Sequence, residues 1–213
     1  MKRRLFVPVA ALLFALVLIP AANVYADEIA VTVADEEEPE VATTTVEDIE
    51  IPEYITIRGR AVSTSLTELD LRGGGCLRPL TDRQIDSLRY MTSLTTLHLS
   101  GNQISDLTPL ANLTNLEVLI LGRNRISDLT PLANLTNLTQ LDMCGNRIGD
   151  LTPLSNLTNL EQLCLVQNRI SDLAPLSNLT NLRQLRLGCR ITVTDWSPVD
   201  HVRNVQGRPH RPR

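Results

Sequence analysis

The sequence predicts a solenoid: a stack of short, near-identical coils preceded by an N-terminal leader. Three observations carry this. Leu94, Leu116, Leu138, Leu160 and Leu182 open successive units at a strict 22-residue period. Inside each unit the apolar residues alternate as in a strand and then recur at irregular spacing, so one unit exposes leucines that only a stacked neighbour can bury. Aromatic residues make up only 3% of the 213 residues, so the interior is aliphatic.

The chain opens with Lys2, Arg3 and Arg4, an uncharged apolar run from Leu5 to Ala21, and the small-residue segment Ala22-Asn23-Val24-Tyr25-Ala26. This layout predicts a secretory signal cleaved after Ala26, with Asp27 the first mature residue. The alternative is an uncleaved N-terminal membrane anchor, for which the run is short and interrupted by Pro8 and Pro20. With no second apolar run, the mature chain is expected to be secreted, without stable membrane insertion.

Residues 27–53 hold eleven acidic residues and no basic one. High charge with little apolar mass predicts a disordered spacer; a calcium- or partner-binding tail is the alternative reading. Removing both segments leaves 17 basic against 13 acidic groups in residues 54–213. That mild positive balance gives no nucleic-acid footprint, so nucleic acid is not an expected partner. It favours only a weak, salt-screened attraction to the leader.

One unit illustrates the local physics. Leu97 and Leu99 alternate with Thr96, His98 and Ser100, as in a half-buried strand. Asn102 follows where the chain must turn, and its amide can bond the backbone of neighbouring turns. Asp106 precedes a run containing Pro109, which suits a capped turn or short 3₁₀ segment. Leu107, Leu110 and Leu113 then return apolar groups to the interior.

The pattern Leu-x-x-Leu-x-Leu-x-x-Asn-x-Ile-x-Asp-Leu-x-Pro-Leu resembles the 22-residue leucine-rich repeats of bacterial internalin-like proteins. It covers residues 66–199 directly and, with caps, 51–208. The resemblance implies an α/β solenoid: a right-handed superhelix with a parallel β-sheet on its concave face, 3₁₀ segments and turns on its convex side, and a cap at each end. It also implies binding of proteins or other macromolecules without catalysis.

The ends depart from the repeat. Leu66, Leu69 and Leu71 match the strand positions, but the next unit starts 28 residues on, at Leu94. The added length holds Gly73-Gly74-Gly75 and a helix expected over Thr81–Tyr90, with Thr81 its N-cap. Ile55 and Ile57 are read as an N-terminal edge strand. At the other end Arg190 replaces the turn asparagine, and Trp196, Val199 and Val202 are expected to cover the last leucines. The resulting division is signal 1–26, leader 27–53, N-terminal cap with a first irregular repeat 54–93, repeats 94–190, C-terminal cap 191–208 and basic tail 209–213.

The concave positions form three rows of six. The first is Glu68, Thr96, Val118, Gln140, Gln162 and Gln184; the second is Asp70, His98, Ile120, Asp142, Cys164 and Arg186; the third is Arg72, Ser100, Gly122, Cys144, Val166 and Gly188. Val118 and Ile120 are apolar where water is the default neighbour, and together with Gln140, Asp142 and Gln162 they form the candidate ligand-binding centre. Six strands give a flat projection of roughly 400 Å², about half the roughly 800 Å² per partner of a standard interface. Arg125, Arg147 and Arg169, with Arg123 beside them, form a ladder after the turn asparagines that an anionic surface polymer could use.

Four cysteines in an exported chain invite disulfides. Cys144 and Cys164 lie on adjacent strands two residues out of step, which on a flat sheet separates their Cα atoms by about 8 Å, beyond bridging distance. Mostly free thiols are therefore expected, Cys76 and Cys189 included. Asp142, Cys144 and Cys164 share the concave side, but no pattern of supporting ligands accompanies them, so no metal or cofactor is expected. The five Asn-Leu-Thr sequons at Asn112, Asn134, Asn137, Asn156 and Asn178 arise from the repeat itself, and their asparagines are read as holding the convex turn. His98, His201 and His210 have no matching nucleophile or carboxylate dyad, so catalytic residues are not expected. The leading expectation is an exported, non-catalytic recognition module for a protein or surface polymer. The alternative is a structural, self-assembling surface protein of undefined oligomeric state.

Overall fold

The computed structural model describes residues 51–75, 77–188 and 192–208. The expected signal, most of the acidic leader, Cys76, Cys189, Arg190 and the basic tail lie outside these residues. Seven short strands form one parallel sheet in chain order: β3 (Glu68–Asp70), β4 (Thr96–His98), β5 (Val118–Ile120), β6 (Gln140–Asp142), β7 (Gln162–Cys164), β8 (Gln184–Arg186) and β9 (Asn204–Gln206). Each residue pairs with its equivalent in the next coil, as in Val118↔Gln140 and Ile120↔Asp142.

Two terminal elements differ from the sequence reading. Ile55 and Ile57 do not join the sheet. They lie on β1 (Tyr54–Ile57), which pairs antiparallel with β2 (Arg60–Ser63) in a separate hairpin. The turn residues Arg58 and Gly59 both have positive φ, 51° and 74°, the conformation that matches the twist of a tight hairpin. At the far end β9 adds a strand, reached from β8 after a 20-residue step, as in Gln184↔Asn204.

The return paths are short 3₁₀ helices: Thr108–Leu110, Thr130–Leu132, Thr152–Leu154, Ala174–Leu176 and Ser197–Val199. Each carries a proline in its first positions, where a fixed φ is favourable and an absent N–H costs nothing. Each is preceded by an aspartate whose Oδ1 accepts a backbone N–H two residues on: Asp106 from Thr108, Asp128 from Thr130, Asp150 from Thr152 and Asp172 from Ala174, all at 2.8 Å, and Asp195 from Ser197 at 2.9 Å. The expected cap helix is α-helical only over α1 (Asp82–Ile85) and continues as 3₁₀ over Asp86–Tyr90. Thr81 is its N-cap, and its N–H donates to Gln84 Oε1 at 3.1 Å.

The core is a column of aliphatic side chains. Leu116, Leu119, Leu121, Ile126, Leu129, Leu132 and Leu135 of one coil are each at most 1% exposed, and neighbouring coils repeat the set. Full burial of such a side chain is worth about 1.5–3 kcal/mol. At the C-terminal end Val199 and Val202 are buried in this core, and Trp196 and Val205 pack against it half-buried.

Inside each turn an asparagine, buried at Asn102, Asn124 and Asn146 and half-buried at Asn168, replaces sheet hydrogen bonds. Asn124 Oδ1 accepts the Ile104 N–H at 3.1 Å, and its Nδ2 donates to the carbonyls of Leu99 and Leu121 at 3.0 and 2.9 Å. Asn102, Asn146 and Asn168 repeat the arrangement. The residue before each asparagine takes positive φ, supplied by Gly101 and Gly145 but also by Arg123 and Gln167. A second ladder runs through Asn115, Asn137, Asn159 and Asn181, whose Nδ2 groups donate to Thr92, Thr114, Thr136 and Thr158 carbonyls at 2.9 Å. Of the sequon asparagines only Asn137 belongs to it. The repeat's second Asn is the one aimed at the preceding coil, whereas the exposed Asn112, Asn134, Asn156 and Asn178 are not part of this ladder.

The aspartates give the array an acid limit. The Thr130 hydroxyl and N–H lower the Asp128 carboxyl below its usual range, and those of Thr152 do the same at Asp150. At Asp82 burial pushes upward, but the Ser105 hydroxyl and the N–H groups of Ser105 and Asp106 outweigh it, so the carboxyl is also lowered. A lowered folded-state pKa means that the unfolded chain binds more protons. The contribution is complete above the unfolded value of about 4 and lost as pH falls through the lower folded values. Stability in urea is therefore expected to fall below about pH 4. Asp82→Asn, which keeps an acceptor but does not titrate, should make that acid limb shallower; an unchanged slope would exclude Asp82 from it.

Candidate functional site

The parallel register aligns the first two concave rows as expected and extends them by Asn204 and Gln206. The seventh strand lengthens the face by only about 4.8 Å. Val118 and Ile120 stand half-buried on β5, flanked by Thr96 and His98 on β4 and by Gln140 and Asp142 on β6. A shallow pocket of about 70 Å³ opens over the next strands, with Gln140, Asp142, Gln162, Cys164, Gln184 and Arg186 in its lining. Gln140, Asp142 and Gln162 thus share a pocket, while Val118 and Ile120 lie beside it rather than in it. Gln184 and Arg186 enter its lining although no apolar neighbour singles them out in sequence.

The expectation of free thiols is overturned at Cys144 and Cys164, which form a disulfide with their Cα atoms 5.7 Å apart. The paired strand residues end at Asp142, but backbone bonds continue past it, from the Met143 N–H to the Cys164 carbonyl at 2.9 Å and from the Gly145 N–H to the Val166 carbonyl at 2.7 Å. Asp142 Oδ1 accepts the Cys144 N–H at 2.9 Å, and the straight, flat strand assumed for the separation of about 8 Å does not describe this stretch. The bond links β6 to β7 at the floor of the pocket, where Cys164 is 6% exposed. Donor atoms of Asp142, Cys144 and Cys164 all lie within 4.8 Å of one another. With the sulfurs bonded to each other, however, neither offers the thiolate that a metal requires.

Arg125, Arg147 and Arg169 are exposed and lie outside this pocket. Their backbone N–H groups donate to Ile104, Ile126 and Ile148 carbonyls at 2.8 Å, which fixes them one coil apart. Among the described residues none of the three forms an ion pair. At the N-terminal end of the sheet Asp70 bonds the Arg72 guanidinium, which holds its carboxyl below the usual range. Of the histidines, His98 lies in the second concave row and His201 Nε2 contacts the Leu179 carbonyl at 2.9 Å; His210 lies outside the described residues. Among the described residues no helix is long and apolar enough to cross a membrane.

Residues 92–134, 114–156 and 158–201 match the family model for leucine-rich repeats in two copies, which together covers half of the chain. The chain belongs to the leucine-rich repeat family. Solved structures place this leucine-rich repeat protein among the internalin-like type. It is 41% identical to internalin C2 of Listeria monocytogenes, with 56% of this chain and 54% of that chain covered and a TM-score of 0.53. Internalin F of the same species is 30% identical over 69% of this chain and 49% of that one, with a TM-score of 0.51. The functional domain of InlJ, also from Listeria monocytogenes, is described as including a cysteine ladder; it is 26% identical over 68% and 30% of the two chains, with a TM-score of 0.55. The chain spans about half the length of the first two internalins. Among curated proteins no relative matches it.

Proposed function

We propose that this leucine-rich repeat protein is an exported, non-catalytic recognition module that holds a protein ligand on its concave face. The reading centres on Val118, Ile120, Gln140, Asp142 and Gln162. Its support is the half-buried apolar pair on β5 set directly beside a polar pocket, the combination of anchor and orienting groups that binding centres use. Export rests on the N-terminal sequence alone. Because the face is small, the affinity is modest unless loop edges contribute.

The test is capture from detergent-solubilised surface extract of producing and contacted cells, followed by titration of each captured protein with Ile120→Ala combined with Asp142→Arg. Loss of saturable binding supports the concave face; unchanged affinity excludes it. Light scattering of the same samples separates the self-assembly reading, which predicts growth with concentration and no partner.

A second reading, an anionic surface polymer on Arg125, Arg147 and Arg169, is favoured by their exposure and by their forming no ion pair among the described residues. It predicts salt-sensitive binding to a sulfated or phosphate-bearing polymer that Arg147→Glu removes and Ile120→Ala leaves intact.

A further inference from the structure

We propose that reduction of the Cys144–Cys164 disulfide converts the pocket floor into a binding site for a borderline-soft divalent cation such as zinc, with Cys144, Cys164 and Asp142 as ligands. The donor chemistry is two sulfurs and one carboxylate oxygen, a set that suits tetrahedral zinc with its fourth position open. The donor atoms already lie within 4.8 Å of one another. The backbone supports the opened state: a Cα separation of 5.7 Å leaves room for two thiolates to swing apart onto one metal without moving either strand. Asp142 is held in place for the role. Its Oδ1 accepts the Cys144 N–H at 2.9 Å, which orients the carboxylate, and among the described residues Oδ2 takes part in no hydrogen bond.

The surroundings leave the fourth position accessible. Gly122, the neighbour of Cys144 in the third row, puts no side chain over it. The pocket of about 70 Å³ above Asp142 and Cys164 has room for metal-bound water, with the amides of Gln140, Gln162 and Gln184 at its wall. Arg186, paired with Cys164 across the β7–β8 register, is the one cation in that lining. Its Nε donates to Gln206 Oε1 at 3.1 Å, which turns the guanidinium toward β9 and away from β6.

The chemistry balances in two steps. A dithiol reductant supplies two electrons and two protons, the S–S bond breaks, and the reductant leaves as its own disulfide. The metal then displaces one proton from each thiol and forms two metal–sulfur bonds, so uptake releases two protons. The site is gated: oxidised it is a covalent clamp between coils, reduced it is a chelate.

The experiment titrates the full chain with zinc against a competing chromophoric chelator, oxidised and anaerobically reduced, and repeats the titration with cobalt to read sulfur-to-metal absorption. The reduced chain is expected to bind one metal with a thiolate band, and the oxidised chain to show neither. Asp142→Asn, which retains the acceptor for the Cys144 N–H, should weaken the reduced-state affinity at least about tenfold without hindering reoxidation. Cys144→Ser combined with Cys164→Ser should abolish the site while Cys76 and Cys189 remain. Equal uptake by reduced and oxidised chain, or unchanged affinity in the double variant, overturns the proposal. Unchanged affinity in Asp142→Asn removes the carboxylate from it, and that variant serves as the test should the double variant fail to fold.

Discussion

Replacing Asn146 with aspartate is expected to cost the array about 4 kcal/mol at neutral pH, more than the roughly 3 kcal/mol expected for alanine at the same position. The amide is 8% exposed and makes three bonds: its Oδ1 accepts the Ile126 N–H, and its Nδ2 donates to the Leu121 and Met143 carbonyls. Those two carbonyls each keep a second amide donor, from Asn124 and Asn168 respectively. Alanine therefore orphans chiefly the Ile126 N–H and leaves a small void. Aspartate satisfies that N–H but turns a carboxylate toward two carbonyl oxygens. Burial and the facing oxygens raise the folded-state pKa of the new carboxyl above its unfolded value. Its penalty is thus complete at high pH and shrinks as pH falls toward the unfolded value of about 4. Urea unfolding at stepped pH should show Asn146→Asp gaining stability between neutral pH and about pH 5 relative to Asn146→Ala. Parallel curves for the two variants would show that the ladder's direction does not matter.

The second large effect is at the disulfide. Cys144 and Cys164 are separated by 20 residues, and closing a loop of that size restricts the unfolded chain by about 3 kcal/mol. Reduction in the presence of a chelator, or Cys144→Ser combined with Cys164→Ser, should lower stability in urea by that amount. The loss should concentrate in β6 and β7, which hydrogen exchange can resolve because each coil of a solenoid contacts only its neighbours. A loss below about 1 kcal/mol would mean that stacking already restricts the loop. The metal-free condition matters, since a chelated ion would restore part of the constraint.

The repeat was legible because one period serves three purposes at once. Leu119 and Leu121 define the strand, Asn124 the turn and Asp128 the 3₁₀ start, and each has one physical task that the next coil duplicates. Legibility failed where a distance had to be carried past the end of a regular element. The separation of about 8 Å for Cys144 and Cys164 extrapolated a straight, flat strand past Asp142, whereas their Cα atoms lie 5.7 Å apart. β9 is hard to read because it comes two residues early and the strand itself offers only Val205, half-buried, as an inward residue. Ile55 and Ile57 looked like a sheet edge, but Arg58-Gly59 is a hairpin turn that pairs them locally before the sheet begins. For the candidate site, the concave rows were readable from the alternation, whereas the pocket over β6–β8 was not. It is lined by side chains of three neighbouring strands, from Gln140 and Asp142 to Gln184 and Arg186, and depends on how they pack together, which no spacing encodes.

The joint between coils has a consequence for how such a protein can change length. Each turn asparagine takes an N–H from the coil before and gives its amide hydrogens to carbonyls of that coil and its own, so the asparagine joint is the same at each internal boundary. Away from the Cys144–Cys164 clamp, inserting or deleting a whole 22-residue unit between two such boundaries preserves these asparagine bonds. The caps meet the same surface either way. The recognition surface is therefore adjustable in increments of one strand, about 4.8 Å, while a change of a single residue within a unit disturbs both neighbours at once. Selection on such a chain can act by copying and trimming coils, with the side chains on the concave rows free to diverge afterwards.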